Sequence, residues 1–244
     1  MQPRNHQTKK IFMKNRIQII LIFTLFSITS FAQSDAEISI GDRFSFGIYG
    51  GLNFMNINGT NPNGNALSNS LVPRFTLGIN EEIYVAPEFY VQIGLQYITK
   101  GTTGNVDYKD LLTTRSITRE LNLKYIEMPI NLLYKPLVGK GKLILGFGPY
   151  IGYCIGGTAI FSGNSAPEDT DLKIQEDVPN NENNNLIYFK TMDVGANFLV
   201  GYQLANGINL TLNSQLGLVN INSNSSSSLA NKNTGFGLIL GYRF

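Results

Sequence analysis

Eight segments of this chain place an apolar side chain at every second residue, and few folds can cover that pattern. In RFSFGIYGGLNF (43–54), Phe44, Phe46, Ile48, Leu52 and Phe54 share one face, while Ser45, Gly47, Tyr49, Gly51 and Asn53 share the other. Counting back from Phe244, the apolar positions are Tyr242, Leu240, Leu238 and Phe236, with Arg243, Gly241 and Gly237 between them. A period of two is that of a β-strand with one covered face. The same alternation recurs in RFTLGINEEIYV (74–85), FYVQIGLQYITK (89–100), LNLKYIEMPINLLYK (121–135), KLILGFGPYIGYCIGG (142–157), IYFKTMDVGANFLVGYQL (187–204) and INLTLNSQLGLVNI (208–221). Glu81 falls on the apolar face as an exception, and Pro129, lacking a backbone donor, weakens the ladder locally and predicts a bulge or an edge-like position.

The links sharpen the reading. Those joining segments two to three, four to five and six to seven span about three to six residues, whereas the other four span about eleven to twenty-nine. Strict alternation of short and long links predicts an all-β, eight-stranded antiparallel up-and-down transmembrane β-barrel, with short turns at one rim and extended loops at the other. The alternative is a soluble barrel with its apolar face turned inward around a ligand. Against it stand a second face rich in Gly, Asn and Gln, and aromatic residues near strand ends: Phe44, Phe75, Phe89, Tyr97, Tyr134, Tyr202 and Tyr242. A mean hydropathy of −0.03 excludes a bundle of membrane helices.

The charge of +2 is concentrated at the start, where Arg4, Lys9, Lys10, Lys14 and Arg16 precede the apolar run IQIILIFTLFSITSFA (17–32). Basic residues, a short apolar run and small residues at Ser30 and Ala32 read as a secretory signal peptide cut after Ala32. Translation from Met13 would leave the same mature chain. The expected organisation is therefore a leader over 1–32, a short periplasmic segment over 33–42 and the barrel over 43–244. Beyond the leader, 14 basic residues face 17 acidic ones, a balance that leaves no nucleic-acid footprint. Cys154 has no second cysteine to pair with, and His6, the one histidine, lies in the leader. The mature chain thus has no Ser–His or Cys–His pair and no imidazole metal ligand. No catalytic, cofactor-binding or metal-binding residue is assigned, and no cofactor is expected.

YIEMPINLLYK, GKLILGFGPYIGY, MDVGANFLVGYQL and GFGLILGYRF resemble the outer-membrane β-barrel domain of Bacteroidetes that includes the PorT-like proteins, over nearly all of residues 43–244. Where that family often has a Pro-Glu pair, this chain has Ile93 and Gly94. The resemblance implies the outer membrane of a Gram-negative bacterium, with periplasmic termini and extracellular long loops. It also implies contact with outer-membrane lipid, recognition of the last strand, ending at Phe244, by the barrel assembly machinery, and an accessory role with type IX secretion proteins. The expected function is a non-enzymatic structural or interaction barrel. The alternatives are a lipid-modifying barrel enzyme, which would need a histidine near a serine, and a small-solute transporter or ligand-binding barrel.

Eight strands leave a lumen that side chains fill. The register turns Glu82, Gln92, Gln96, Lys100, Glu127, Asn131, Asp193, Asn197, Asn213 and Arg243 inward. They are expected to form a satisfied polar plug in which Arg243 and Lys100 neutralise Glu127 and Asp193, with a proton or ion site as the sharper reading. In the long 158–186 connection, Glu168, Asp169, Asp171, Glu176, Asp177 and Glu182 offer oxygen ligands for calcium, though without EF-hand spacing. NSNSSSSLANK (222–232) is of low complexity and reads as a mobile loop.

Overall fold

The computed structural model describes residues 43–60, 65–109, 114–163, 166–176, 187–223 and 231–244. The leader and the 33–42 segment lie outside them. Eight long strands form the wall: β1 (Phe44–Asn58), β2 (Val72–Ala86), β3 (Phe89–Lys109), β4 (Thr114–Tyr134), β5 (Gly141–Ser162), β6 (Met192–Gln203), β7 (Ile208–Gly217) and β8 (Lys232–Arg243). Each pairs antiparallel with the next, and β8 pairs with β1, so the sheet closes on itself.

The register gives the barrel's tilt. Stepping across paired residues from Glu127 leads through Gln96, Gly78, Tyr49, Gly241, Asn209, Gln203 and Lys142 to Leu137. One circuit therefore returns ten residues further along the chain (137 − 127). A stagger of that size over eight strands tilts them by about 40°. Ten tilted residues then rise about 25 Å, the height of a membrane's apolar slab.

The apolar face points outward. Leu77 is 64% exposed and Leu52 61%, with Phe46, Leu95, Phe147, Leu212 and Leu240 similarly open, which eliminates the inward-facing soluble barrel. Aromatic pairs mark both edges of this belt. Phe54–Phe236 and Phe75–Tyr97 lie at the long-loop edge, with centroids 5.5 and 5.6 Å apart; Phe89–Tyr134 and Tyr242–Phe244 lie at the other, at 5.0 and 5.1 Å. Glu81 interrupts the belt between Phe46 and Ile93, near its short-turn edge.

Two expectations need correction. The link between the third and fourth strands is not about twenty residues long: β3 continues to Lys109 and β4 begins at Thr114, so strand pairing runs almost to the tip. The alternation of short and long links fails there because residues 101–120 lie beyond the lipid-facing belt, where a strand needs no apolar outer face. With β5, also extended to Ser162, they form a three-stranded projection at the long-loop end. Pro129 makes neither a bulge nor an edge. The β3–β4 ladder simply skips Met128 and Pro129 and resumes in the same register, since a missing N–H costs one bond without displacing the chain. The register shift in this part of the wall lies elsewhere, between Lys124 and Tyr125 against β5.

Candidate functional site

The inward faces of the strands carry two separate clusters of charge. At the long-loop end of the belt, the Lys100 ammonium lies 2.6 Å from Glu127 Oε2 and 3.0 Å from Asp193 Oδ2, and all three side chains are 0% exposed. Glu127 Oε1 accepts from Gln96 Nε2 and Gln215 Nε2, both at 2.6 Å. Asp193 Oδ2 accepts from Asn233 Nδ2 at 2.9 Å. The Lys100 ammonium also stands 4.1 Å from the centroid of the Tyr150 ring. Bare charges would be prohibitively costly here, so the surrounding donors and the cation–π contact are what make the burial tolerable.

The second cluster lies at the short-turn end. Glu82 accepts from Lys135 Nζ and Arg243 Nη2, each at 2.6 Å, and from Gln92 Nε2 at 3.2 Å. Lys135 also donates to Gln203 Oε1 at 2.6 Å. Arg243 therefore does not help neutralise Glu127 and Asp193, as the sequence reading had it. The barrel's stagger carries the end of β8 to the rim beside Glu82, and Lys100 alone serves both other carboxylates. Counted as formal charges, Lys100, Glu127 and Asp193 sum to −1 and Glu82, Lys135 and Arg243 to +1.

Between them the lumen is neutral. Asn131 donates to Gln92 Oε1 at 3.0 Å, Asn197 Oδ1 accepts from Gln215 Nε2 at 3.0 Å, and Tyr49 donates to Gln96 Oε1 at 2.9 Å. Glycines make room for the rings: a Cβ on Gly78 would meet the Tyr49 ring at 2.7 Å, and one on Gly195 the Tyr150 ring at 2.5 Å. A polar cavity of about 50 Å³ remains, lined by Asn131, Asn213, Glu82 and Arg243 among others. Asn131 Oδ1, Asn213 Oδ1 and Arg243 Nε have no protein partner, and the cavity has room for the few waters that would satisfy them.

Above the Lys100 cluster the lumen is closed by apolar packing. Ile57, Ile98, Leu121, Leu123, Tyr125, Cys154 and Ala159 from the wall meet Leu172, Phe189 and Ile221 from the long connections. The connections are stitched over the mouth: Lys173–Ile174 pairs with Tyr188–Phe189, Thr170–Asp171 with the upper part of β5, and Lys190 N–H donates to Ile221 O at 2.8 Å. A dry layer therefore separates the charged lumen from the long-loop side.

The ten residues read as lumen-facing lie inside the barrel: Glu82, Gln92 and Arg243 meet at one end, Gln96, Lys100, Glu127 and Asp193 at the other, and Asn131, Asn197 and Asn213 line the stretch between. Lys135, Gln215, Tyr150 and Asn233 were not singled out. The first three lie on the polar faces by the same alternation, whereas Asn233 falls just before the last segment's apolar run. Of the acidic connection, Asp169 accepts from Phe161 N–H at 3.0 Å and Glu176 from Thr191 N–H at 3.3 Å. Asp177 and Glu182 lie outside the described residues, as does most of the serine-rich stretch, and no metal-holding group of acids occurs among the described residues.

The sequence pattern of the family described as "Outer membrane protein beta-barrel domain" matches residues 31–223. No curated protein is similar in sequence. Among solved structures, Ail, the attachment invasion locus protein of Yersinia pestis, in complex with the heparin analogue sucrose octasulfate, is similar at a TM-score of 0.39 and 12% identity, over 82% of this chain and 99% of that one. A second structure of Ail covers the same shares at a TM-score of 0.34 and 11% identity.

Proposed function

Because the chain belongs to the family of outer membrane protein β-barrel domains, we propose that it is a non-enzymatic barrel working as a structural or interaction protein through its long-loop face. The observation that carries this reading is the sealed lumen. A route for solutes would have to cross both a buried ion cluster and an apolar layer, and the small polar cavity lies on one side of that barrier. The β3–β4–β5 projection, by contrast, extends well past the belt and offers strand surface to partners.

Short turns at one rim support a periplasmic placement of that rim, with the projection outside the cell. Phe244 is 71% exposed and its N–H donates to Phe46 O at 2.8 Å, so β8 stays paired with β1 up to the rim. The resemblance to PorT-like barrels of Bacteroidetes extends the reading to an accessory role in type IX secretion, an analogy of fold and sequence pattern.

The test is complementation of a deletion strain, read as envelope integrity and the profile of secreted proteins. Full-length protein and Glu127→Gln should restore the strain. A barrel lacking Gly104–Arg119, two stretches that pair with each other and can be excised in register, should assemble and fail to restore it. Restoration by the trimmed barrel would move function away from the projection, and a deletion strain with an unchanged secreted profile would remove the secretion reading.

A further inference from the structure

Charge sets the orientation of the lumen amides. A carboxylate accepts and cannot donate, so each amide that touches one turns its NH2 group toward it. Glu82 Oε1 takes Gln92 Nε2 at 3.2 Å, which turns Gln92 Oε1 away to accept from Asn131 Nδ2 at 3.0 Å and leaves Asn131 Oδ1 as the far end of the relay. At the other end Glu127 Oε1 takes the Nε2 groups of both Gln96 and Gln215. Amide nitrogens are drawn to the two carboxylates, and amide oxygens are left over between them.

Three such oxygens, Asn80 Oδ1, Asn131 Oδ1 and Asn213 Oδ1, have no hydrogen-bond partner and belong to side chains that line the same cavity of about 50 Å³. Asn131 is 2% exposed and Asn213 9%. They come from β2, β4 and β7, so they face the cavity from different parts of the ring. Against these three acceptors, the described lining offers one free donor, Arg243 Nε, at the short-turn end. An anion would meet the wrong ends of the amide dipoles. A divalent cation such as calcium takes carboxylate oxygens, and Glu82 has none to spare: Oε1 accepts from Arg243 and Gln92, and Oε2 from Lys135. Neutral carbonyl oxygens suit a monovalent cation, because they replace part of its hydration shell. The cavity has room for such an ion with a few waters. An ion at this level is drawn toward Lys100, Glu127 and Asp193, whose formal charges sum to −1. Gln203 and Asn209 flank the turn between β6 and β7 and also line the cavity, so the way in is from the short-turn rim, away from the apolar cap.

We propose that Asn80, Asn131 and Asn213 form a binding site for one monovalent cation of the size of sodium, which ties β2, β4 and β7 together across the lumen. The site is independent of the long-loop face.

The experiment unfolds the full chain with urea in a non-ionic detergent, at constant ionic strength and constant chloride, with either sodium or N-methyl-D-glucamine as the cation. A heat-dependent gel shift verifies the barrel in each sample. The unfolding equilibrium constant should be at least tenfold lower in sodium, the effect of an ion present at about ten times its Kd. Asn131→Leu and Asn213→Leu should each lose that dependence, and Thr118→Ala, on the projection, should keep it. Three results would each overturn the proposal. Equal midpoints in both salts would mean that water alone fills the cavity. An unchanged sodium effect in both leucine variants would place the ion elsewhere. Loss of the effect when gluconate replaces chloride would assign it to an anion. If neither leucine variant assembles, the sodium NMR line of the parent decides: broadening beyond that of detergent alone, lost on unfolding, supports the site, and no broadening refutes it.

Discussion

The two charge clusters in the lumen are built from the same kinds of residue and solve opposite problems. Lys100, Glu127 and Asp193 lie under the apolar cap with every charged atom answered by protein: two tyrosine rings, two glutamines and an asparagine close around them. Glu82 and Arg243 border a cavity, and Arg243 Nε is left for water. This barrel therefore closes one end of its lumen with apolar packing and leaves a cavity at the other. The charge sits at the two edges of the belt, leaving the depth of the membrane to neutral amides.

Removing the cation from the dry cluster should cost most. Lys100→Met keeps the volume but leaves two carboxylates buried without a counter-charge, a loss of about 3–5 kcal/mol. It should appear as a lower urea midpoint for the compact, unheated gel band. If the loss were negligible, the cluster would not be dry.

Opening the cap should abolish the contrast from the other side. Phe189→Ala removes a ring from the layer over Cys154, which is 2% exposed. A membrane-impermeant thiol reagent should label Cys154 in that variant within minutes and leave the parent unmodified; equal labelling would mean that the cap does not exclude water.

At the wet end the same kind of deletion should be milder. Glu82→Gln keeps an acceptor for Lys135 and Arg243 while water in the cavity screens them, so the cost should be about 1–3 kcal/mol, below that of Lys100→Met. A reversed order in urea unfolding would break the comparison. Smallest of all, Tyr49→Phe removes one hydrogen bond to Gln96 and should lower stability by about 1 kcal/mol in the same assay.

The belt was legible in the sequence because lipid imposes one rule on the outward positions from Phe46 to Tyr242, Glu81 excepted. Where the lipid ends the rule ends, so Gly101–Lys109 and Thr114–Glu120 looked like a loop although backbone pairing continues through them. Inward positions follow from the same alternation, and Glu82, Glu127 and Asp193 are all buried. Their partners were not legible, because pairing across the lumen depends on the stagger of the closed barrel. That stagger sets Arg243 beside Glu82, residues 161 apart in the chain, and Lys100 beside Asp193, 93 apart. The cap was also hidden, since Leu172, Phe189 and Ile221 lie in connections with no periodicity that ties them to the wall.

The sealed lumen is the claim on which the functional reading stands, and conductance of the purified barrel in a planar bilayer tests it most directly. A sealed lumen gives a baseline current with no defined steps for the parent protein across physiological voltages. Reproducible unit steps, abolished by a lumen-blocking substitution such as Asn197→Trp, would show a continuous water path past Lys100 and the cap and would contradict it.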